Sequence, residues 1–493
     1  MSEGSSSPIA TAVPSKNASK ASLEKTRMES IDEKLDYTSE KALDTATHPN
    51  HDRDVEKAAL ASTAVQLGDE KVTVGANEGA VANGSEKSTI SLRQERIYMA
   101  VLCWCMFLTG WNSATLGPLL PTIQKHYHVN YAIVSMIFVS TCCGTIPGSV
   151  ASGYLTDRLG FGKLIALGAF LQLGTYSVLA AAPPFPVFCI IYMLNGLAGA
   201  LQTASCNIFV TGMAPENRPS NLGIMHAMFG TGALVAPLVA TQFAQQRHWS
   251  FHYLTSLGFA AVNNVLVIVV FKWKRQEQLI PEAASRRAAN APDAESSNGG
   301  NKLLQIWRLP TVHFMSLFLF LYVGSEITTG GWIFTYLLNY RGGGPSAGYV
   351  SSGFFGGLTL GRVALLQVNR KIGPERVIYI YTVLSIALEL TIWFVPNLIE
   401  NAVAVSFVGV FLGPFYPILL GVAARKLPKR LLAGSIGWMS ACGQVGSAMF
   451  PFVTGAIASK HGVQVLQPLL VAMMSALLLL WFLAMRSKVP GGP

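Results

Sequence analysis

Charge is scarce in this sequence. Asp, Glu, Lys and Arg supply 13% of the residues and hydrophobic types 51%, against about 25% charged residues in a soluble globular protein. That scarcity excludes an ordinary soluble domain and points to a chain solvated largely by lipid. A short apolar core near the start is also missing. Roughly the first 90 residues are polar and rich in Ser, Ala, Glu and Lys, so no secretory signal peptide is read and the first apolar run acts as its own insertion signal. Cysteines are few: Cys103, Cys105, Cys142, Cys143, Cys189, Cys206 and Cys442 all lie inside apolar runs. A disulfide framework or a zinc cluster is thereby excluded, and the cysteines read as helix-packing residues. No nucleophile and base pair, metal-spaced ligand set or Gly-rich phosphate loop stands in a polar stretch large enough to act. The expectation is a protein that is not an enzyme and uses no metal and no cofactor.

What charge there is has a pattern. The formal net charge is +10, but residues 1–92 hold 15 acids and 10 bases, leaving 11 acids and 26 bases for the rest. The body is basic and the tail acidic. The body's bases sit in short loops between apolar runs, which suits cytoplasmic loops and argues against a nucleic-acid groove.

Apolar runs long enough to cross a bilayer fall near 97–120, 132–153, 163–182, 186–212, 220–243, 251–273, 309–338, 347–368, 374–395, 400–424, 431–458 and 463–485. Six precede and six follow the charged, aromatic-poor segment 274–308, which reads as a flexible linker. The expected organisation is an acidic tail over 1–92, a helical bundle over 93–273, the linker, a second bundle over 309–486 and a short tail over 487–493. One set of loops carries only Lys125, Arg247, Arg341 and Lys460; the other carries Arg158, Lys163, Arg218, the linker, Arg370, Lys371, Arg376, Arg425, Lys426, Lys429 and Arg430. Because Lys and Arg collect on the cytoplasmic side, both termini and the linker are expected there. Asn17-Ala-Ser and Asn83-Gly-Ser resemble glycosylation acceptors, but they lie in the tail assigned to the cytosol.

The halves repeat. Gly144, Gly148 and Ser152 match Gly353, Gly357 and Gly361 at an offset of 209, and the Gly232 to Pro237 spacing recurs as Gly446 to Pro451 at 214. Small residues four apart give a helix face on which another membrane helix can approach closely. Two six-helix repeats joined by a linker suit a transporter that rocks one half against the other about a midplane site.

At GYLTDRLGFGK the sequence resembles a loop signature of the major facilitator superfamily, through Gly153, Leu155, Asp157, Arg158 and Gly160. The segments GWNSATLGPLLPTIQKHYHV, RHWSFHYLTSLGFA and GSEITTGGWIFTYLLNYRGGGPSAGYVSSGFFGGLTLGR resemble more narrowly its fucose-permease-like branch in fungal form. The resemblance implies an all-α integral membrane fold of twelve helices in two pseudo-repeats, with a disordered N-terminal tail and the lipid bilayer and a small-molecule substrate as partners of a monomer. It also implies a plasma-membrane location, with the vacuolar membrane as the alternative. Gly153, Asp157, Arg158, Gly160 and Arg362 are its gating candidates. Where relatives often carry an acid in the first helix, this chain has Ser113. The signatures of drug/proton antiporters are incomplete in the fourth and fifth helices.

If helices 1, 4, 7 and 10 line a cavity, as the resemblance implies, substrate-contact candidates are Trp111, Asn112, Asn195, Gln202, Tyr322, Glu326, Trp332 and Gln444. Polar stripes at helical spacing support that choice: Trp104, Leu108, Trp111 and Thr115; Asn195, Gly199, Gln202 and Cys206; Tyr322, Glu326 and Thr329. Glu326 is the proton-coupling candidate, since an ionised acid near the bilayer centre costs roughly 2.5–3.5 kcal/mol on insertion scales and needs a use or a partner. Glu389 is the other embedded acid, and His226 is a possible relay. Thr328-Thr-Gly-Gly331 predicts a break in the seventh helix, and Pro414-Phe-Tyr-Pro417 a kink in the tenth. The expected function is alternating-access transport of a sugar-like or other polar solute, open to proton coupling. Export of a small metabolite and a non-transporting nutrient sensor are the alternatives.

Overall fold

The computed structural model of the chain describes residues 91–213, 218–280 and 304–487. The acidic tail before residue 91, the linker between 281 and 303, Asn17, Asn83 and the residues after 487 lie outside the described residues. Among the described residues there is no strand. Twelve helices follow in order: α1 (Leu92–Tyr127), α2 (Met136–Leu159), α3 (Phe161–Ala180), α4 (Phe185–Gly212), α5 (Arg218–Ala244), α6 (His252–Phe271), α7 (Pro310–Asn339), α8 (Val350–Ala364, continued as Leu366–Ile372), α9 (Pro374–Phe394), α10 (Leu398–Leu412, continued as Phe415–Lys426), α11 (Lys429–His461) and α12 (Leu466–Arg486). Eleven are long and apolar enough to span a bilayer. The other, α8, is not among them and is divided at Leu365.

Local chemistry sets the ends. Ser91 and Gln94 form a capping box at the start of α1, satisfying amides that have no helical partner. Gly160 and Gly373 occupy the turns into α3 and α9 with φ of 83° and 97°, a region that side chains rarely enter. The expected kink in helix 10 is present as the division between Leu412 and Phe415. The expected break in helix 7 is not: α7 runs unbroken through Thr328–Gly331. The two glycines serve packing instead. A Cβ on Gly330 would strike the Phe355 ring of α8, and one on Gly331 the Phe138 ring of α2.

The two halves pack by one plan. In the first, α1 lies on α5, α2 on α4, and α3 on α4 and α6; in the second, α7 lies on α11, α8 on α10, and α9 on α10 and α12. The repeated glycines are the contact points. A Cβ on Gly232 would land on the Phe107 carbonyl of α1 and one on Gly446 on the Phe320 carbonyl of α7; Gly196 and Gly409 meet the Thr141 and Phe354 carbonyls in the same way. Between hydrocarbon-solvated helices apolar area gives little drive, so close backbone approach does the holding.

This contact plan predicts that Gly144→Val, whose Cβ would meet the Met193 carbonyl of α4, lowers stability by about 1–3 kcal/mol or more. Gly153→Ala, with nothing within 4 Å, should leave it unchanged. Thermal unfolding of the purified proteins in detergent checks the pair.

Candidate functional site

The face that bears the described chain ends, Ser91 and Ser487, is called near, and the opposite one far. The halves meet through α2 with α11, α5 with α8, and α1 with α7. Among the described residues the hydrogen bonds joining them lie from the middle of the molecule to the far face. The Ala132 amide donates to Ser459 Oγ at 2.7 Å, Asn339 Nδ2 to the Tyr131 hydroxyl at 2.9 Å, Gln242 to the Tyr349 hydroxyl, and Cys142 Sγ to the Gln444 carbonyl at 3.3 Å. Glycines close the same end: Gly117 of α1 abuts the Gly330 carbonyl, and Gly455 of α11 abuts Ser135 and Tyr131. Toward the near face these contacts stop, and the halves present polar groups at mid-depth.

On the first half that group is Asn112, partly exposed. Its Oδ1 accepts from Asn195 Nδ2 at 2.6 Å, and Asn195 Oδ1 accepts from Thr175 Oγ1 at 3.4 Å. Behind it runs a buried chain of amides. Cys105 Sγ donates to Asn263 Oδ1 (3.1 Å), Asn263 Nδ2 to Gln202 Oε1 (2.8 Å), Gln202 Nε2 to Gln172 Oε1 (2.8 Å), and Gln172 Nε2 to the Tyr176 hydroxyl (3.2 Å). Every amide has its partners, which is the condition for burying such groups at low cost. Ser113, next to Asn112, is exposed and donates to the Thr109 carbonyl of its own helix at 3.0 Å.

On the second half, Glu326 of α7 and Arg362 of α8 are both partly exposed. The Tyr322 hydroxyl, fully buried, lies against both and feels the charge of each. It makes no hydrogen bond of good geometry, and Arg362 Nε is likewise buried without one, among the described residues. The Tyr322 ring is fixed against Phe415, centroids 5.6 Å apart, at the start of the second segment of α10. His226 of α5, exposed on the other half, also feels the Arg362 charge. Four polar side chains of three helices thus gather where the halves part.

The structure does not bring all the sequence candidates to this place. The Trp104, Trp111 and Thr115 stripe faces α6, not an opening. Trp104 Nε1 donates to the Phe259 carbonyl and Trp111 Nε1 to Ser256 Oγ at 2.8 Å, while Thr115 pairs with His252 Nε2 and Trp111 stacks on the His252 ring. Gln202 is fully buried within the amide chain. Trp332 is buried at the far closure, its Nε1 donating to the Pro451 carbonyl at 3.0 Å with Tyr131 against its ring. Gln444 is exposed on α11. The gating candidates separate. Gly153, Asp157 and Arg158 are exposed and Gly160 buried at the near end of α2, whereas Arg362 belongs to the mid-depth cluster. There Asp157 and Gly160 border a cleft of about 210 Å³ with Arg275 and Gln276. Arg275 Nη1 donates to the Asp157 carbonyl at 3.5 Å, and Arg158 lies over the Tyr154 ring. Glu389 is fully buried in α9, both oxygens without a hydrogen bond among the described residues. Gln172, Asn263, Ser256 and His252 were missed by sequence reasoning; their only signal was polarity within apolar runs three and six.

Comparison with known proteins agrees with this architecture. The family model described as Major Facilitator Superfamily matches residues 102–451. Bypass of stop codon protein 6 of Saccharomyces cerevisiae is 30% identical over 401 residues, covering 76% of this chain and 80% of that protein. Among solved structures, a bacterial homolog of the human lysosomal transporter Spinster, inward-facing and unoccupied, superposes with a TM-score of 0.66 at 12% identity, covering 80% of this chain and 98% of the other. A variant of the E. coli fucose:proton symporter superposes with a TM-score of 0.53 at 18% identity, covering 79% of this chain and 98% of that one.

Gln202→Leu is expected to destabilise the protein by about 1–3 kcal/mol, because it strands the Gln172 and Asn263 amide groups in the interior. Solute affinity of the folded fraction should be unchanged. Melting temperature set beside a binding isotherm separates the two effects.

Proposed function

The chain belongs to the Major Facilitator Superfamily, and from that premise we propose that it moves a small hydroxylated organic solute by alternating access, with Glu326 as the proton site. Membership makes it a multi-pass membrane transporter rather than an enzyme. The observation that carries the finer reading is the position of Glu326. Among the described residues the two acids deep in spans are Glu326 and Glu389; Glu389 is sealed in, and Glu326 is partly exposed where the halves part. An acid there can exchange a proton with water on the open side and, once the halves rock, on the other.

The basic loops support a cytoplasmic near face, which on this reading makes the conformation described here inward-facing, in the plasma membrane. Asn112 and Glu326, one from each half, are the first contacts for the solute, an amide and a carboxyl suited to hydroxyl groups. The fucose:proton symporter that shares the fold is named for such a pairing of polyol and proton. Uptake driven by an inward proton gradient is the direction proposed.

Glu326→Gln should abolish gradient-driven accumulation of solute in proteoliposomes, by about tenfold or more, while leaving exchange of internal for external solute intact, since only the proton-binding step is removed. Counterflow and uphill uptake of labelled hexoses, deoxyhexoses and small organic acids, with and without an imposed pH gradient, give both numbers. Equal accumulation by the two proteins overturns the assignment.

A further inference from the structure

We infer that the solute carries a single carboxylate, which Arg362 holds once a proton has neutralised Glu326. This rests on the proton role given to Glu326 above and adds the chemical class of what is carried.

The first support is the balance of charge at mid-depth. From the sequence of the described residues, α1, α2, α4, α11 and α12 bring no acid, base or histidine into the middle of the molecule, and α10 brings only Tyr416, whose hydroxyl pairs with Ser440 at 3.2 Å. From α5 comes His226, from α7 Tyr322 and Glu326, and from α8 Arg362. The cluster thus has one permanent positive charge, one titratable acid and one histidine. With Glu326 ionised the acid and Arg362 offset each other through the hydroxyl of Tyr322. With Glu326 protonated, Arg362 is left uncompensated in a medium of low dielectric, which is costly. A neutral sugar does nothing for that charge. A carboxylate restores the balance and can be met by the planar fork of the guanidinium.

The second support is the sense of the hydrogen-bonding groups. Asn112 Oδ1 is already taken by Asn195, so the side chain offers the solute its amide N–H donors. Arg362 Nε and the Tyr322 hydroxyl are buried and make no hydrogen bond of good geometry among the described residues, the hydroxyl lying against Glu326 and Arg362. Asn112 on one half and the Arg362 guanidinium on the other thus both offer donors. A hydroxylated carboxylate is rich in acceptors and has hydroxyl oxygens for Asn112 on the opposite side. Proton and carboxylate together carry no net charge, so the loaded carrier reorients as electrically neutral as the empty one with Glu326 ionised and Arg362 charged.

The test uses the full chain, purified and in proteoliposomes, with gluconate and lactate as carboxylate probes and glucose and fucose as neutral ones. Gluconate is expected to bind about tenfold or more tighter than glucose, the scale of one charge-assisted contact. Its affinity should rise as pH falls and Glu326 gains its proton. In Glu326→Gln it should stay at the tight limit at every pH. Gluconate uptake by the unaltered protein should give no current on a solid-supported membrane. Arg362→Gln should lose the preference for gluconate over glucose, and Arg362→Lys should lose less, since Lys keeps the charge and not the fork. Elution volume and melting temperature establish that these variants fold. Glucose binding as tight as gluconate, no binding by any probe, or a current accompanying gluconate uptake overturns the carboxylate. A preference for gluconate whose pH dependence survives in Glu326→Gln overturns the proton role of Glu326 and leaves the carboxylate class standing.

Discussion

Close approach of helix backbones at glycine is the constraint on which the rest of this molecule depends. In lipid, leucine packed on leucine gains little over leucine packed on hydrocarbon, so helices are held by contacts that lipid cannot imitate. Here those contacts are Cα on carbonyl. Gly144 and Gly357 meet α4 and α10, Gly232 and Gly446 meet α1 and α7, and each would collide if it carried one more carbon. Because the pairs are duplicated, each half carries its own set of such contacts. Between the halves, backbone approach at Gly117 and Gly455 is joined by side-chain hydrogen bonds and ring contacts such as Tyr131 with Trp332. Two halves each held by their own backbone contacts, with polar seams between them, are suited to rocking.

The amide chain and the mid-depth cluster differ in the same sense, although buried atoms without a partner also occur elsewhere among the described residues, at Asn264 Oδ1 and both amide atoms of Gln467. Inside the first half, the amides of Gln172, Gln202 and Asn263 satisfy one another and stay out of reach. Where the halves part, Tyr322 and Arg362 keep unused hydrogen-bonding atoms. An interior that meets its own needs stabilises one shape, whereas a seam with unmet needs can be completed by something that arrives. Glu389 fits neither description. It is sealed within α9, and nothing in the structure explains why an acid is kept there.

Much of the fold was legible in the sequence. Hydrophobic run length gave the twelve spans, the register of small residues gave the internal repeat, and Pro414 with Pro417 gave the divided tenth helix. The site was less legible, for a definite reason. A polar stripe at helical spacing marks a face turned away from lipid, but another helix and a water-filled opening satisfy it equally. The Trp104 to Thr115 stripe, expected at a cavity, faces α6; Asn112, one place along from Trp111, is left partly exposed. Likewise Thr328-Thr-Gly-Gly331 is a weak helix by propensity, yet intrahelical bonds are strongly favoured where water is excluded. Tertiary packing kept α7 straight and used the glycines for neighbours.

In an alternating-access cycle the helix pairs that close the far face must part as their other ends meet. The pseudo-symmetry says which ends those are. The far contact of α2 with α11 uses the start of one and the end of the other, so its counterpart at the near face joins the end of α2 to the start of α11. That is the stretch holding Gly153, Asp157 and Arg158. Gly153 has open space in the conformation described here, and Arg158 rests on its own Tyr154. On the proposed cycle, this is the surface that would meet the start of α11 when the near face closes. Arg362 lies apart from Gly153, Asp157 and Arg158, at mid-depth on α8, which meets α5 across the other seam. The charge that on this reading holds the solute thus sits on one of the helices whose near ends must close.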